Sequence, residues 1–172
     1  MNEIEDLDKY YVYTPEKFYK HANLLVEKIM KDTPESEPFD IVLCIARGGL
    51  VLAFYVASKL KIPSFYTIRL QSYHKMKQNE IEILQEPPWE KMKGKKVLIV
   101  EDLIDQGETV KFLFHLLKNH QIENYKLALL VDKEKKSKYN CRLLYRKYQE
   151  VGFILLGRRI CRVEKVNGYN QG

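Results

Sequence analysis

Apolar and polar positions recur along the chain at two periods, and the switches between them outline the fold. Phe18, Ala22, Leu25, Val26, Ile29 and Met30 repeat at helical spacing, so an amphipathic helix is expected over 15–31. Thr14-Pro15 supplies an N-cap residue and a first-turn proline. TPESEP (33–38) reads as a loop. DIVLCIA (40–46) is almost continuously apolar, as in a strand buried on both faces. RGGLVLAFYVASKL turns from a glycine pair into a helix ending near Lys61; Ile62-Pro63 closes the connection, and SFYTIRL (64–70) is the next strand. Between Gln71 and Lys95 the pattern weakens. QSYHKMKQNE is polar, EIEIL fits a short strand, and QEPPWEKMKG is a connection. KVLIVED is strand again. A helix should begin near Gly107 and carry Val110, Leu113, Phe114 and Leu117 on one face, and YKLALLV (125–131) is a further strand. The rest of the tail mixes RLLY and VGFILLG with arginines and shows no clear period.

Strands alternating with helices imply an α/β fold, a mostly parallel twisted sheet flanked by helices. The 172 residues suit one domain, with 45% apolar and 30% charged residues in the ordinary globular range. No run of eighteen apolar residues occurs, so no membrane span is expected, and the acidic, polar start MNEIEDLDKYY does not read as a secretory signal. Cys44, Cys141 and Cys161 are odd in number and far apart; they fit reduced thiols in a cytoplasmic protein better than a disulfide framework or a zinc site. The net charge of +6 is concentrated in KMKGKK, KEKKSK and the stretch from Arg142 to Lys165, and by itself identifies no partner. A long polar insertion such as 71–84 is often a functional flap.

In open α/β sheets ligands bind off the carboxyl ends of strands. Two strand ends here carry chemistry: Arg47-Gly48-Gly49 after DIVLCIA, and Glu101-Asp102 after KVLIV. Carboxylates are disfavoured in a dry interior, which places Glu101 and Asp102 at the strand's mouth. Adjacent strand residues face opposite ways, so both need not enter one pocket. Such carboxylates suit a hydroxyl pair or metal-bound water. Asp105-Gln106-Gly107-Glu108-Thr109 then forms a loop at a helix start, where free amides and the helix dipole favour an anion. Diol acceptors beside a phosphate cradle suit a phosphorylated ribose. Neither GxxxxGK[ST] nor GxGxxG is present. An ordinary strand–turn–helix is the alternative, and for Asp105 alone it is the preferred one.

VLIVEDLIDQGETV resembles the phosphoribosyl-pyrophosphate (PRPP) binding motif of type I phosphoribosyltransferases. CIARGGLVLAFYVASKL is similar to the pyrophosphate loop of the hypoxanthine–guanine and xanthine–guanine members, and IRLQSYHKMK looks like the start of their catalytic flap, with Ser72-Tyr73 at their Ser-Tyr pair. The resemblance covers residues 10–131 or so and implies a small hood formed by the tail, 132–172. It implies Mg²⁺-dependent transfer of phosphoribosyl from PRPP to a 6-oxopurine (hypoxanthine, guanine or xanthine), as in purine salvage. Glu101 and Asp102 would hold ribose hydroxyls and Mg²⁺, and residues 105–109 the 5′-phosphate. Asp105 would handle the purine N7 proton, Arg47 and Gly48 the pyrophosphate, with Ala46–Arg47 the candidate cis bond. Ser72 and Tyr73 would close over the site. Base recognition falls to Lys133 and Phe153, with Tyr148 as another stacking candidate. A homodimer or homotetramer is implied.

The chain departs from the family's pattern in Gln106, where Thr is usual, and in Gly157 or Arg158-Arg159, where an acid is expected. These departures and the basic tail keep a second reading open, a PRPP-binding regulatory protein that could bind nucleic acid. His21, His115 and His120 read as structural and Cys44 as inert. His74 lies beside the Ser-Tyr pair, and Trp89 is expected to anchor the base of the flap.

Overall fold

The computed structural model describes residues 14–75, 78–104 and 107–132, with residues 73–75, 78–80 and 132 described by their backbone alone. Helix α1 spans Pro15–Lys31 and β1 spans Ile41–Ala46; α2 is Leu50–Leu60, β2 is Ser64–Lys75 and β3 is Gln78–Gln85. A short 3₁₀ turn, Trp89–Lys91, leads to β4 (Val97–Ile104), α3 (Glu108–Asn119) and β5 (Tyr125–Asp132). The sheet order is β3-β2-β1-β4-β5. β1 pairs in parallel with β2 and β4, and β4 with β5; β2 and β3 pair antiparallel. This is the mostly parallel α/β sheet that the alternation of patterns implies.

The near-continuous apolar strands are explained by burial on two sides. On one face Val42, Cys44, Leu98, Val100, Ala128 and Leu130 pack with residues of α1 and α2. On the other, Ile41, Leu43, Ile45, Val97, Ile99, Leu127 and Leu129 pack with Val110, Leu113 and Leu117 of α3 and with Trp89 and Met92. Helix α1 starts as expected, with the Thr14 hydroxyl accepting from the Lys17 N–H at 3.4 Å.

Two elements run longer than their apolar patterns. β2 does not stop at Leu70 but continues to Lys75, because beyond Arg69, the last residue opposite β1, it pairs with β3. The polar stretch read as a flap is therefore an antiparallel hairpin, and EIEIL is part of its returning strand. Trp89 sits where the chain leaves that hairpin. It is buried, stacks on His120 with ring centroids 4.4 Å apart, and donates its indole N–H to Glu86 at 3.1 Å, an anchor as expected. β4 likewise passes Glu101-Asp102 and continues to Ile104 against β5.

Candidate active site at two strand mouths

The site grows from one feature of the register. β1 and β4 pair only from Ile41↔Val97 to Cys44↔Val100. Beyond Val100, β4 keeps β5 on one side and loses β1 on the other. Glu101 and Asp102 are the first residues of β4 past that divergence, with the turn 47–49 entering α2 beside them.

Alternation separates the two carboxylates. Glu101 follows Val97 and Ile99 toward the α3 face, and Asp102 follows Leu98 and Val100 toward the α2 face. The expectation that both lie at an open mouth holds only for Asp102, which is half-buried; Glu101 is 8% exposed. The correction has a physical cause: β4 is still paired to β5 at Glu101, beneath α3. The Glu101 carboxylate turns back and accepts the Asp102 N–H at 3.0 Å. Burial pushes its carboxyl well above the usual range. The Asp102 side chain adds to the rise by hydrogen bond and charge, and the Asp102 backbone bond opposes it.

The glycine pair is explained by close approach rather than by dihedral freedom. A Cβ on Gly48 would lie 2.6 Å from Asp102 Oδ1 and 2.8 Å from Oδ2. A Cβ on Gly49 would lie 2.9 Å from the Val100 carbonyl oxygen and 3.0 Å from that of Ile45. The turn is pinned by a Gly49 N–H to Ile45 carbonyl bond of 3.2 Å and a Leu50 N–H to Arg47 carbonyl bond of 3.3 Å. Arg47 and Gly48 face solvent, Gly49 is buried, and the Ala46–Arg47 peptide is cis, the bond singled out from the sequence.

The second mouth lies at α3. Gly107 caps the helix with φ 75°, where glycine is favoured, and among the described residues no side-chain cap bond is made at this N-cap. The amides at the start of the helix are thus available to an anion. Glu108 is exposed and bonds Lys111, while Thr109 is half-buried. Ser72 is an exposed residue of the hairpin, opposite Ile81. Asp105, Gln106, Lys133, Tyr148, Phe153, Gly157, Arg158 and Arg159 lie outside the described residues, as do the side chains of Tyr73 and His74.

Gly49, named from the sequence only as part of the strand end, gains a structural reason, and Arg69 gains a place that sequence reasoning did not give it. Gly49 allows α2 to start directly against β4, and the signal was the doubled glycine after a buried strand. Arg69 stands opposite Ala46, beside the cis peptide, and only the β1–β2 register brings it there. Cys44 lies beneath the site; burial pushes its thiol up to about 12, with the charges of Glu101 and Asp102 adding, so inertness is the right expectation. A separate open groove of about 940 Å³ lies along α3 between Ile81 and Tyr125. Of the residues placed in the site, it touches only Glu108.

The phosphoribosyl transferase domain family matches residues 12–153. The chain belongs to this family. A xanthine-guanine phosphoribosyltransferase of Cereibacter sphaeroides is 30% identical over 57% of the chain. The chain spans 59% of that relative's length. Among solved structures, a purine phosphoribosyltransferase from Pyrococcus horikoshii is 26% identical with a TM-score of 0.62, covering 73% of this chain and 79% of that one. A xanthine-guanine-hypoxanthine phosphoribosyltransferase from Helicobacter pylori is 23% identical with a TM-score of 0.65, covering 77% and 84%; that likeness concerns the fold. The phosphoribosyltransferase fold and the two strand mouths therefore coincide in one chain.

Proposed function

We propose that the chain is a purine phosphoribosyltransferase that transfers phosphoribosyl from PRPP to a 6-oxopurine. The observation that carries this reading is the seating of Asp102 against the Arg47–Gly49 turn. A carboxylate suited to hydroxyls beside a turn suited to an anion supports a site where a ribose and its leaving group meet.

Mg²⁺ fits the donors present. Among the described residues no group of three His, Cys, Asp or Glu side chains could cage a metal. Mg²⁺ commonly binds through one or two carboxylates and substrate phosphates, which Asp102 beside the turn suits. When bound it would neutralise charge on the diphosphate. In the reaction, purine N9 forms a bond to C1 as the C1–oxygen bond to pyrophosphate breaks. Arg47 and the turn amides hold the departing diphosphate, and Asp102, whose N–H is held by the buried Glu101 carboxyl, takes the ribose hydroxyls. The α3 N-terminus, with Gly107, Glu108 and Thr109, holds the 5′-phosphate. Asp105 takes the purine N7 proton, and the hairpin with Ser72 and Tyr73 excludes water. Lys133 and Phe153 are assigned to the base. The exposed apolar residues Leu50, Val51 and the 69% exposed Phe54 of α2 suit an oligomer interface in a homodimer or homotetramer. A cytoplasmic role in purine salvage completes the reading.

The test is pyrophosphate release from PRPP with Mg²⁺ and hypoxanthine, guanine, xanthine, adenine, uracil or orotate supplied singly. Turnover on a 6-oxopurine that falls about 10²–10⁴-fold in Asp105→Asn is the expected result. Turnover confined to another base overturns the purine assignment. PRPP binding without turnover favours the regulatory reading, for which Gln106 is the motivating residue.

A further inference from the structure

We propose that Trp89 is a positioning residue: its stack on His120 is the pivot on which the β2–β3 hairpin closes toward α3. The inference rests on the phosphoribosyl-transfer reading and adds to it a control of water access set far from the reacting atoms.

The hairpin has two roots. One is in the sheet. β2 has β1 beside it as far as Arg69, and the β2–β3 register slips between Arg69 and Leu70, where β1 ends. Beyond that point, among the described residues, the two strands pair only with each other, and such a slip is where a strand bends. The other root is the chain that leaves β3. Glu86-Pro87-Pro88 separates Gln85 from Trp89, and each proline ring fixes its own φ. The Trp89 N–H donates to the Pro87 carbonyl and the Lys91 N–H to that of Pro88, both at 2.9 Å. This link is stiff, so the hairpin's root goes where Trp89 is held.

Trp89 is held by α3. The indole and the His120 ring are 4.4 Å apart at their centroids with 6° between their planes, and Glu86 accepts the indole N–H. His120 is fixed in turn by the helix end. Its N–H donates to the Leu116 carbonyl and the Gln121 N–H to that of Lys118, both at 3.0 Å. The pivot therefore belongs to the helix whose opposite end, about 18 Å away, is assigned to the 5′-phosphate. Toward that end there is room to move: Ile81 of the hairpin and Glu108, Lys111 and Phe112 of α3 line the same open groove of about 940 Å³. Flat rings keep their contact as one turns over the other, which interdigitated aliphatic side chains do not.

Trp89 is the chain's only tryptophan, so its fluorescence reports this stack alone. The experiment compares wild type with His120→Phe, which keeps a flat partner, and His120→Leu, which keeps apolar bulk without one. Pyrophosphate release from Mg²⁺–PRPP is measured with and without a 6-oxopurine; release without base is attack of water on the same carbon. His120→Leu should raise the KM for PRPP about fivefold and the water-to-purine ratio at least about threefold, with kcat for the purine changed less than about twofold. His120→Phe should stay within about twofold of wild type in all three. Wild-type Trp89 emission should change as Mg²⁺–PRPP saturates the protein. Circular dichroism confirms folding of each variant, and if His120→Leu does not fold the wild-type emission decides. An unchanged KM and ratio in folded His120→Leu overturn the proposal. So do equal losses in His120→Leu and His120→Phe, and so does wild-type emission that stays constant at saturation. Wild-type protein that neither binds PRPP nor turns it over with any base overturns the phosphoribosyl-transfer reading, and the pivot with it.

Discussion

The start of α2 and the start of α3 both rest on glycine, and for opposite reasons. At the first mouth Gly48 and Gly49 have crowded surroundings, with a carboxylate on one and two backbone carbonyls on the other. At the second, Gly107 has φ 75° and starts α3 with no side-chain cap bond among the described residues. Removing Cβ makes room in the first case and allows a left-handed residue in the second. A strand handing over to an uncapped helix can be built either way. Substitutions should tell the two designs apart.

The largest loss is expected for Gly49→Ala. Its clashing atoms are backbone, so relief requires moving α2 or the sheet, and denaturant unfolding should show a loss of about 2–3 kcal/mol. Gly107→Ala should cost about 1–2 kcal/mol, and Gly107→Asn should recover part of it, because Asn tolerates the left-handed region. Equal losses for Ala and Asn at 107 would show that space, not dihedral, matters there too. Gly48→Ala should cost less than about 1 kcal/mol, since a side-chain carboxylate can move aside, while diphosphate binding suffers. A Gly48→Ala loss as large as that of Gly49→Ala would erase the distinction drawn within the first turn.

Two effects of pH are smaller and separate the carboxylates from their surroundings. The folded-state pKa of Glu101 is raised, so between the unfolded value near 4.5 and the folded value the native state holds the extra proton. Stability from this group is full below that window and is lost as pH rises through it. Glu101→Gln should flatten the slope in urea titrations across that range. The Cys44 thiol, pushed up from 9.0 to about 12, gives the same sign at alkaline pH: stability falls from about pH 9 upward as the unfolded thiol ionises. Iodoacetamide at pH 8 should modify Cys44 only as fast as the protein opens.

The strand and helix patterns were legible because each is local. DIVLCIA, YKLALLV and the α1 stripe state their own period, and two-sided burial follows from an apolar run. The hairpin was half legible. QSYHK has no apolar repeat to mark it, yet it extends β2 because β3 returns beside it and supplies the hydrogen bonds. The burial of Glu101 could not be read from VLIVED, since nothing in those letters says that β5 continues alongside while β1 does not.

By itself the sequence determined the order of elements and the resemblance that named the family, and it singled out the two strand ends proposed as the site. Those depend on spacing along one chain. The tertiary structure alone decided that Asp102 rests on Gly48, that Glu101 lies under α3, and that Arg69 stands beside the turn. Each is a meeting of residues from different elements, set by register and strand divergence rather than by any local pattern.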